Sequence, residues 1–319
     1  MVKEDFREMW DEFFSDVGGE VPDAAGRLVH YTRTNVIEEI IKNNEFWLSH
    51  PLLMNDYQEV REGINIAIQE LHAGDDLWSG GKVMDWREKF YDEVLKVLND
   101  YGNDHGYDLY IGCFSYHTIT ECQDGLLPMW RGYGDNGGGA ALVLDLNKAP
   151  LLESSPLRID KVNYRTDEER RTFAREKIRH IVELLSREVV SVSDIGKVAL
   201  IFFNRILYDA LFSKHKGFES EQEWRLVYNR GWDYANKAAS MLSYFHGPQG
   251  LEPKLKLKLA GGAPWFHEDF NFDDIIDSIL IGPRASTPLS LFAAQRMVDT
   301  IDKPHLKNRI RASTIPFRG

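Results

Sequence analysis

The run Gly137-Gly138-Gly139-Ala140-Ala141-Leu142-Val143-Leu144-Asp145-Leu146 puts three glycines directly before a continuous apolar segment. A short run of small and aliphatic residues after a turn signal reads as a buried strand. Glycine loops that cradle phosphate follow a strand and open a helix. Here the order is reversed, so the glycines read as a turn into the strand at 140–146, matching neither the dinucleotide fingerprint nor the P-loop.

Working outward, further strand-like runs lie at 28–31, 46–49, 109–115, 159–164, 224–228, 255–259 and 275–281. Helical periodicity covers 34–43, 55–71, 86–98, 167–190, 195–212 and 288–301. Thr34 is the expected N-cap of the first of these, and Asn55 or Asp56 of the second, with Glu59 in its first turn. Strands and helices do not alternate as βαβ units, which argues against a doubly wound parallel sheet. The expectation is one α+β domain over 1–319, with a twisted, largely antiparallel sheet. Phe6, Met9, Trp10, Phe13 and Phe14 recur at helical spacing, so about 4–16 reads as a docking helix. About 167–212 reads as a helical insertion or layer.

The chain has 319 residues, 43% hydrophobic and 12% aromatic, enough for a packed core. Its net charge of −12 argues against a broad grip on duplex DNA, which needs a basic surface. Cys113 and Cys122 are too few for a disulfide framework and lack zinc-ligand spacing, so both read as small buried hydrophobes. The ten histidines show no ligand spacing, and no metal site is expected. No apolar stretch reaches the roughly 20 residues of a membrane helix. The N-terminus has no basic segment leading into an apolar core and is not read as a signal peptide. A cytoplasmic location is the expectation.

Three polar-bordered strand segments carry the chemistry: His30-Tyr31-Thr32, Cys113-Phe114-Ser115 and Glu221-Gln222-Glu223-Trp224-Arg225. A strand end can present a side chain to a ligand while the sheet holds its backbone. Glu221 and Glu223 share one face by strand alternation, with Trp224 on the other. His30, Ser115 and Glu223 are expected to face one cleft, with Trp130 and Tyr133, spaced i and i+3, on one helix face beside it.

These segments, with Asn55-Asp56-Tyr57-Gln58-Glu59, Met129-Trp130-Arg131-Gly132-Tyr133 and Ile281-Gly282-Pro283, resemble the DUF2971 family of largely uncharacterised bacterial proteins. The resemblance runs from about residue 28 to 285. The order of elements is also similar to that of ADP-ribosyltransferase folds, which carry a His or Arg on the first core strand, a Ser or Tyr near the second, and a catalytic Glu on a later one. The Glu-x-Glu of Glu221 and Glu223 resembles the arginine-directed toxin branch, although no Ser-Thr-Ser run is present. This resemblance implies an NAD-dependent ADP-ribosyltransferase acting on a protein or nucleic-acid acceptor, with NAD as substrate. Glu223 would stabilise the oxocarbenium-like ribose and Glu221 would orient the acceptor. His30, with Tyr31 beside it, would meet the adenosine ribose. Ser115 would meet the nicotinamide ribose or a phosphate, Tyr133 or Trp130 would stack on the nicotinamide, and Arg225 or Arg131 would pair with the pyrophosphate. A metal-dependent hydrolase using Asp56, Glu59, Glu221 and Glu223, and a non-catalytic ligand-binding or interaction module, are the alternative readings.

Overall fold

The computed structural model describes residues 2–17, 26–54, 57–78, 81–104, 108–148, 151–152, 154–188, 190–247 and 250–317. In chain order its first elements are α1 (Val2–Phe13), β1 (Gly26–Thr32), α2 (Thr34–Asn43), β2 (Glu45–Ser49), α3 (Tyr57–Ala73), α4 (Gly81–Asp104) and β3 (Leu109–Thr118). Next come α5 (Leu127–Gly132), β4 (Ala140–Leu144), β5 (Leu157–Lys161), β6 (Asn163–Arg165), α6 (Asp167–Ser186), α7 (Ile195–Leu211), β7 (Ser213–His215) and β8 (Glu223–Asn229). The last are β9 (Leu242–Gly247), β10 (Gly250–Lys258), α8 (Phe272–Ile275), β11 (Ile276–Ile281), α9 (Pro288–Thr300) and β12 (Ile310–Ala312).

The chain divides into two compact units. The first takes Met1–Gly19, Pro51–Leu109 and Val162–Phe218, and so collects α1, α3, α4, α6 and α7 with the short parallel pair β6–β7. The helical segment expected at 167–212 therefore shares its unit with the N-terminal helix and with 57–104. Its core holds Phe13, Phe90, Ile178, Ile181, Phe202 and Ile206. The helix α6 starts where a capping box dictates: the Thr166 side chain accepts from Glu169 N–H, and the Glu169 carboxylate accepts in return from Thr166 N–H.

The second unit takes Glu20–His50, Tyr110–Lys161 and Glu219–Gly319. It is built on a sheet in the order β12-β11-β4-β1-β3-β2-β10-β9, with β8 pairing β3 and β5. Only β11–β12 is parallel among the pairs described in this sheet. The architecture is α+β with a mostly antiparallel sheet, as the sequence leads one to expect. No helix among the described residues is long and apolar enough to cross a membrane.

Two local expectations are corrected. Thr34 does not cap α2: the cap is Arg33, with extended backbone and no side-chain bond, and Thr34 is already helical. Asn55 and Asp56 lie outside the described residues, while Glu59 sits in the first turn of α3.

The sheet buries both faces. Leu28, Phe46, Phe114, Leu142, Trp224, Leu226 and Tyr228 belong to the larger core on one face. Val29, Tyr31, Met129, Trp130, Ala141, Val143 and Leu280 form a smaller core on the other. Each fully buried aliphatic or aromatic side chain contributes about 1.5–3 kcal/mol, so even the smaller cluster holds α5 firmly to the sheet. The glycine turn behaves as its sequence suggests. Asp135, Asn136 and Gly137 have positive φ, and a Cβ on Gly139 would stand 2.3 Å from the Thr32 carbonyl oxygen. Only glycine permits that approach. The Ile281-Gly282-Pro283 turn closes on this loop through Gly282 N–H to the Gly139 carbonyl, at 2.9 Å.

Candidate functional site

Register decides which polar residues meet. In the β1–β3 pair Val29 lies opposite Ser115, so Ser115 shares the face of Val29 and Tyr31. His30 points to the other face, where its ring meets Phe46 edge-on at 4.8 Å and Phe114 at 5.8 Å. Its Nδ1–H donates to the Cys113 carbonyl at 3.0 Å. Burial pushes its pKa down, against the opposing effect of that hydrogen bond, so the ring is neutral near pH 7. Trp224, Leu226 and Tyr228 of β8 lie in the His30-side core, which leaves Glu223 and Arg225 on the Ser115 side. The single cleft expected of His30, Ser115 and Glu223 is thus not formed. Ser115 and Glu223 share a face, and His30 is across the sheet from them.

On the Ser115 face the Glu-x-Glu segment is clamped to β3. Ser115 Oγ donates to the Glu221 carbonyl at 2.6 Å, and Tyr116 N–H donates to the Gln222 carbonyl at 2.8 Å. Gln222 bridges these two contacts with φ of 44°, in the left-handed region that costs a non-glycine residue about 1–3 kcal/mol. That bend separates the two carboxylates. Glu223 turns inward, 5% exposed, and accepts from Arg225 Nε at 2.8 Å and Nη2 at 3.3 Å. Arg225 is fully buried. Glu221 stays at the surface, half-buried, and accepts from the Tyr133 hydroxyl at 2.9 Å.

The aromatic candidates separate in the same way. The helix α5 ends at Gly132, and Tyr133 caps it outside the helical region. Trp130 is fully buried, edge-on to Tyr31 at 4.8 Å, with Nε1–H donated to the Asp124 carbonyl. Tyr133 is 45% exposed. The two differ in burial, with Tyr133 at the C-terminal cap of the helix. Of the two, Tyr133 reaches the surface, and Trp130 is a core residue. Arg131 is exposed and lies over the Phe317 ring at 5.9 Å, so it is the guanidinium of this segment that a soluble anion can reach.

Sequence reasoning missed His117. It lies two residues beyond Ser115 on the same face and is fully buried. Tyr31 accepts from Leu126 N–H at 2.9 Å and stands 3.3 Å from His117 Nε2. Burial raises the Tyr31 pKa, so its phenol keeps its proton. His117 Nδ1 is buried with no hydrogen-bond partner among the described residues. Desolvation brings the His117 pKa down to about 4. Cys122 is buried in the same cluster, and burial pushes its thiol up to about 12, which makes it inert as a nucleophile. The signal available in sequence was period-two alternation from Ser115 to His117.

For a metal, no group of three or more His, Cys, Asp or Glu side chains is suitably placed among the described residues. Of the four carboxylates considered for a hydrolase, Glu59 belongs to the helical unit, Glu221 and Glu223 to the sheet unit, and Asp56 is outside the described residues.

No curated protein and no solved structure matches the chain. A family model described as "Protein of unknown function (DUF2971)" matches residues 129–226. The motifs at 30–32, 55–59, 113–115 and 281–283 lie outside that match. Over 129–226, the segment that carries Trp130, Tyr133, Glu221, Glu223 and Arg225, the chain is similar to the DUF2971 family.

Proposed function

We propose that the chain is an NAD-dependent ADP-ribosyltransferase acting on a protein or nucleic-acid acceptor, with its reaction centred on Glu221 and Tyr133. The observation that carries this reading is the divided Glu-x-Glu segment: one carboxylate locked inside on an arginine, the other held at the surface by an exposed tyrosine.

Cleaving the glycosidic bond of NAD develops positive charge on the ribose, and a fixed carboxylate beside that ribose lowers the barrier. Glu221 has the required reach, and its backbone is held by Ser115 through a 2.6 Å bond. Glu223, with both oxygens on Arg225, serves as a positioning residue that anchors the start of β8. Tyr133 would orient Glu221 through its hydroxyl and stack its ring on the nicotinamide. Arg131 would pair with the pyrophosphate. The reading thus moves the reactive role from Glu223 to Glu221.

The test is nicotinamide release from NAD by purified protein, with protein and RNA acceptors supplied in turn. The parent is expected to release nicotinamide and Glu221→Gln to lose roughly 10²–10³-fold, the usual effect of removing one electrostatic stabiliser. Absence of both release and calorimetric NAD binding in the parent overturns the proposal and leaves a binding module that does not take NAD.

A further inference from the structure

Tyr133, bonded through its hydroxyl to Glu221 at 2.9 Å, opens the loop 133–139. Beside that loop Arg131 stands over the Phe317 ring, its Cζ 5.9 Å from the centroid. Phe317 rests on Gly137, where a Cβ would stand 3.1 Å from the ring. Arg284 rests on Gly138 in the same manner, with Nη2 3.0 Å from the place of a Cβ. Its backbone N–H donates to the Gly137 carbonyl at 2.8 Å, which ties the turn Pro283–Ala285 to the loop. The Thr32 carbonyl packs on Gly139, and Arg33 follows it in the chain. Bare glycine backbone thus lets an aromatic ring and a guanidinium approach two adjacent residues.

The charge here runs against that of the whole chain. Net charge is −12, which as a whole repels a polyanion. Arg33, Arg131 and Arg284 are all exposed, and none has a carboxylate partner among the described residues. Opposing them are Asp135, within the loop, and Glu221, which is engaged by Tyr133. An exposed arginine needs no partner in water, so the cations alone do not name a ligand.

Phe317 narrows the choice. It is partly exposed and lies between Arg131 and the glycines that carry Arg284. Guanidiniums flanking an aromatic ring suit a nucleic-acid single strand, whose phosphates meet the cations and whose bases stack on the ring. An acidic peptide would use the cations and leave the ring idle. A duplex keeps its bases stacked on one another, out of reach of Phe317.

We propose that this surface binds the acceptor of the transferase reaction, and that the acceptor is a single-stranded nucleic acid. Phe317 takes a base, and Arg284 and Arg33 take phosphates. The assignment rests on the proposed function, which gives Tyr133 and Arg131 to NAD and leaves these three for the acceptor. The glycine loop joins the surface to Tyr133 and Glu221, so a bound strand lies beside the ribose that Glu221 activates.

The test is fluorescence anisotropy of labelled single strands of about ten nucleotides, RNA and DNA in parallel, with the full chain and no NAD. The parent is expected to bind with a Kd of roughly 10⁻⁴–10⁻⁶ M near physiological salt. The slope of log K against log salt is expected near −2, at about −0.7 for each of the three guanidiniums engaged. The tighter of the two strands names the acceptor's sugar. Arg284→Gln and Arg33→Gln should each weaken binding of every sequence and flatten that slope by roughly 0.7. Phe317→Ala should weaken binding roughly tenfold with the slope unchanged. These side chains are exposed or partly so, and the variants should keep the parent's unfolding midpoint. Arg179→Gln, which removes an exposed guanidinium from the helical unit, should change neither affinity nor slope. No binding by the parent, a loss in Arg179→Gln equal to that in Arg284→Gln, or equal affinity for a polyglutamate peptide overturns the proposal. With NAD absent, the result is separate from nicotinamide release. Release without strand binding sinks this assignment and spares the transferase, and strand binding without release keeps the surface and sinks the transferase.

Discussion

Glu223→Gln is the substitution that separates a positioning carboxylate from a reactive one. Arg225 is fully buried and takes two contacts from Glu223, itself 5% exposed. Removing one partner of such a pair costs about 3–5 kcal/mol, because the remaining charge stays in the interior. Gln keeps one acceptor oxygen, which places the expected loss near the low end, about 3 kcal/mol or roughly 10²-fold in the folding equilibrium. At roughly 2–4 °C per kcal/mol, the unfolding midpoint should fall by roughly 6–12 °C. Calorimetry would measure it, beside the double variant Glu223→Leu with Arg225→Met. The double variant measures how much of that loss belongs to the Glu223–Arg225 pair itself. Nicotinamide release, corrected for the folded fraction, should fall far less in Glu223→Gln than in Glu221→Gln. A Glu223→Gln protein as stable as the parent, yet inactive, would refute the positioning role and return the reaction to Glu223.

Three other outcomes are expected. Tyr133→Phe should keep most NAD affinity while lowering turnover, because it retains the ring and loses the bond to Glu221; Tyr133→Ala should lose both, and equal affinities in the two variants would remove Tyr133 from the ligand. Acid should destabilise the sheet unit through His117, whose folded pKa of about 4 lies below the ordinary 6.5. The unfolded chain then binds more protons between these values, so stability is complete above about pH 6.5 and falls towards pH 4, by up to about 3 kcal/mol. His117→Phe should flatten that slope in pH-dependent denaturation, and an unchanged slope would assign acid loss to other groups. Gly139→Ala should destabilise by several kcal/mol, roughly, since its Cβ would stand 2.3 Å from the Thr32 carbonyl oxygen; a midpoint within a degree of the parent in a thermal scan would mean that the loop opens at little cost.

Much of the secondary structure could be read from local pattern alone. The apolar runs at 28–31, 46–49 and 224–228 became β1, β2 and β8, and the periodic segments at 195–212 and 288–301 became α7 and α9 with ends within a residue or so. Periodicity is a local property, so it survives without knowledge of neighbours. The hairpin strand β9 and the short strands β7 and β12 were not legible, because pairing rather than composition makes them strands. The candidate site divides along the same line. That Glu221 and Glu223 bracket the start of a strand, with an aromatic helix upstream, is written in the sequence. Alternation within one strand says which of its residues share a face, but the register between strands says which faces coincide. Val29 opposite Ser115 sends His30 to the far side, and the left-handed bend at Gln222 sends Glu221 outward and Glu223 in. Those two facts depend on contacts between residues about ninety to a hundred positions apart, and only the folded chain brings them together.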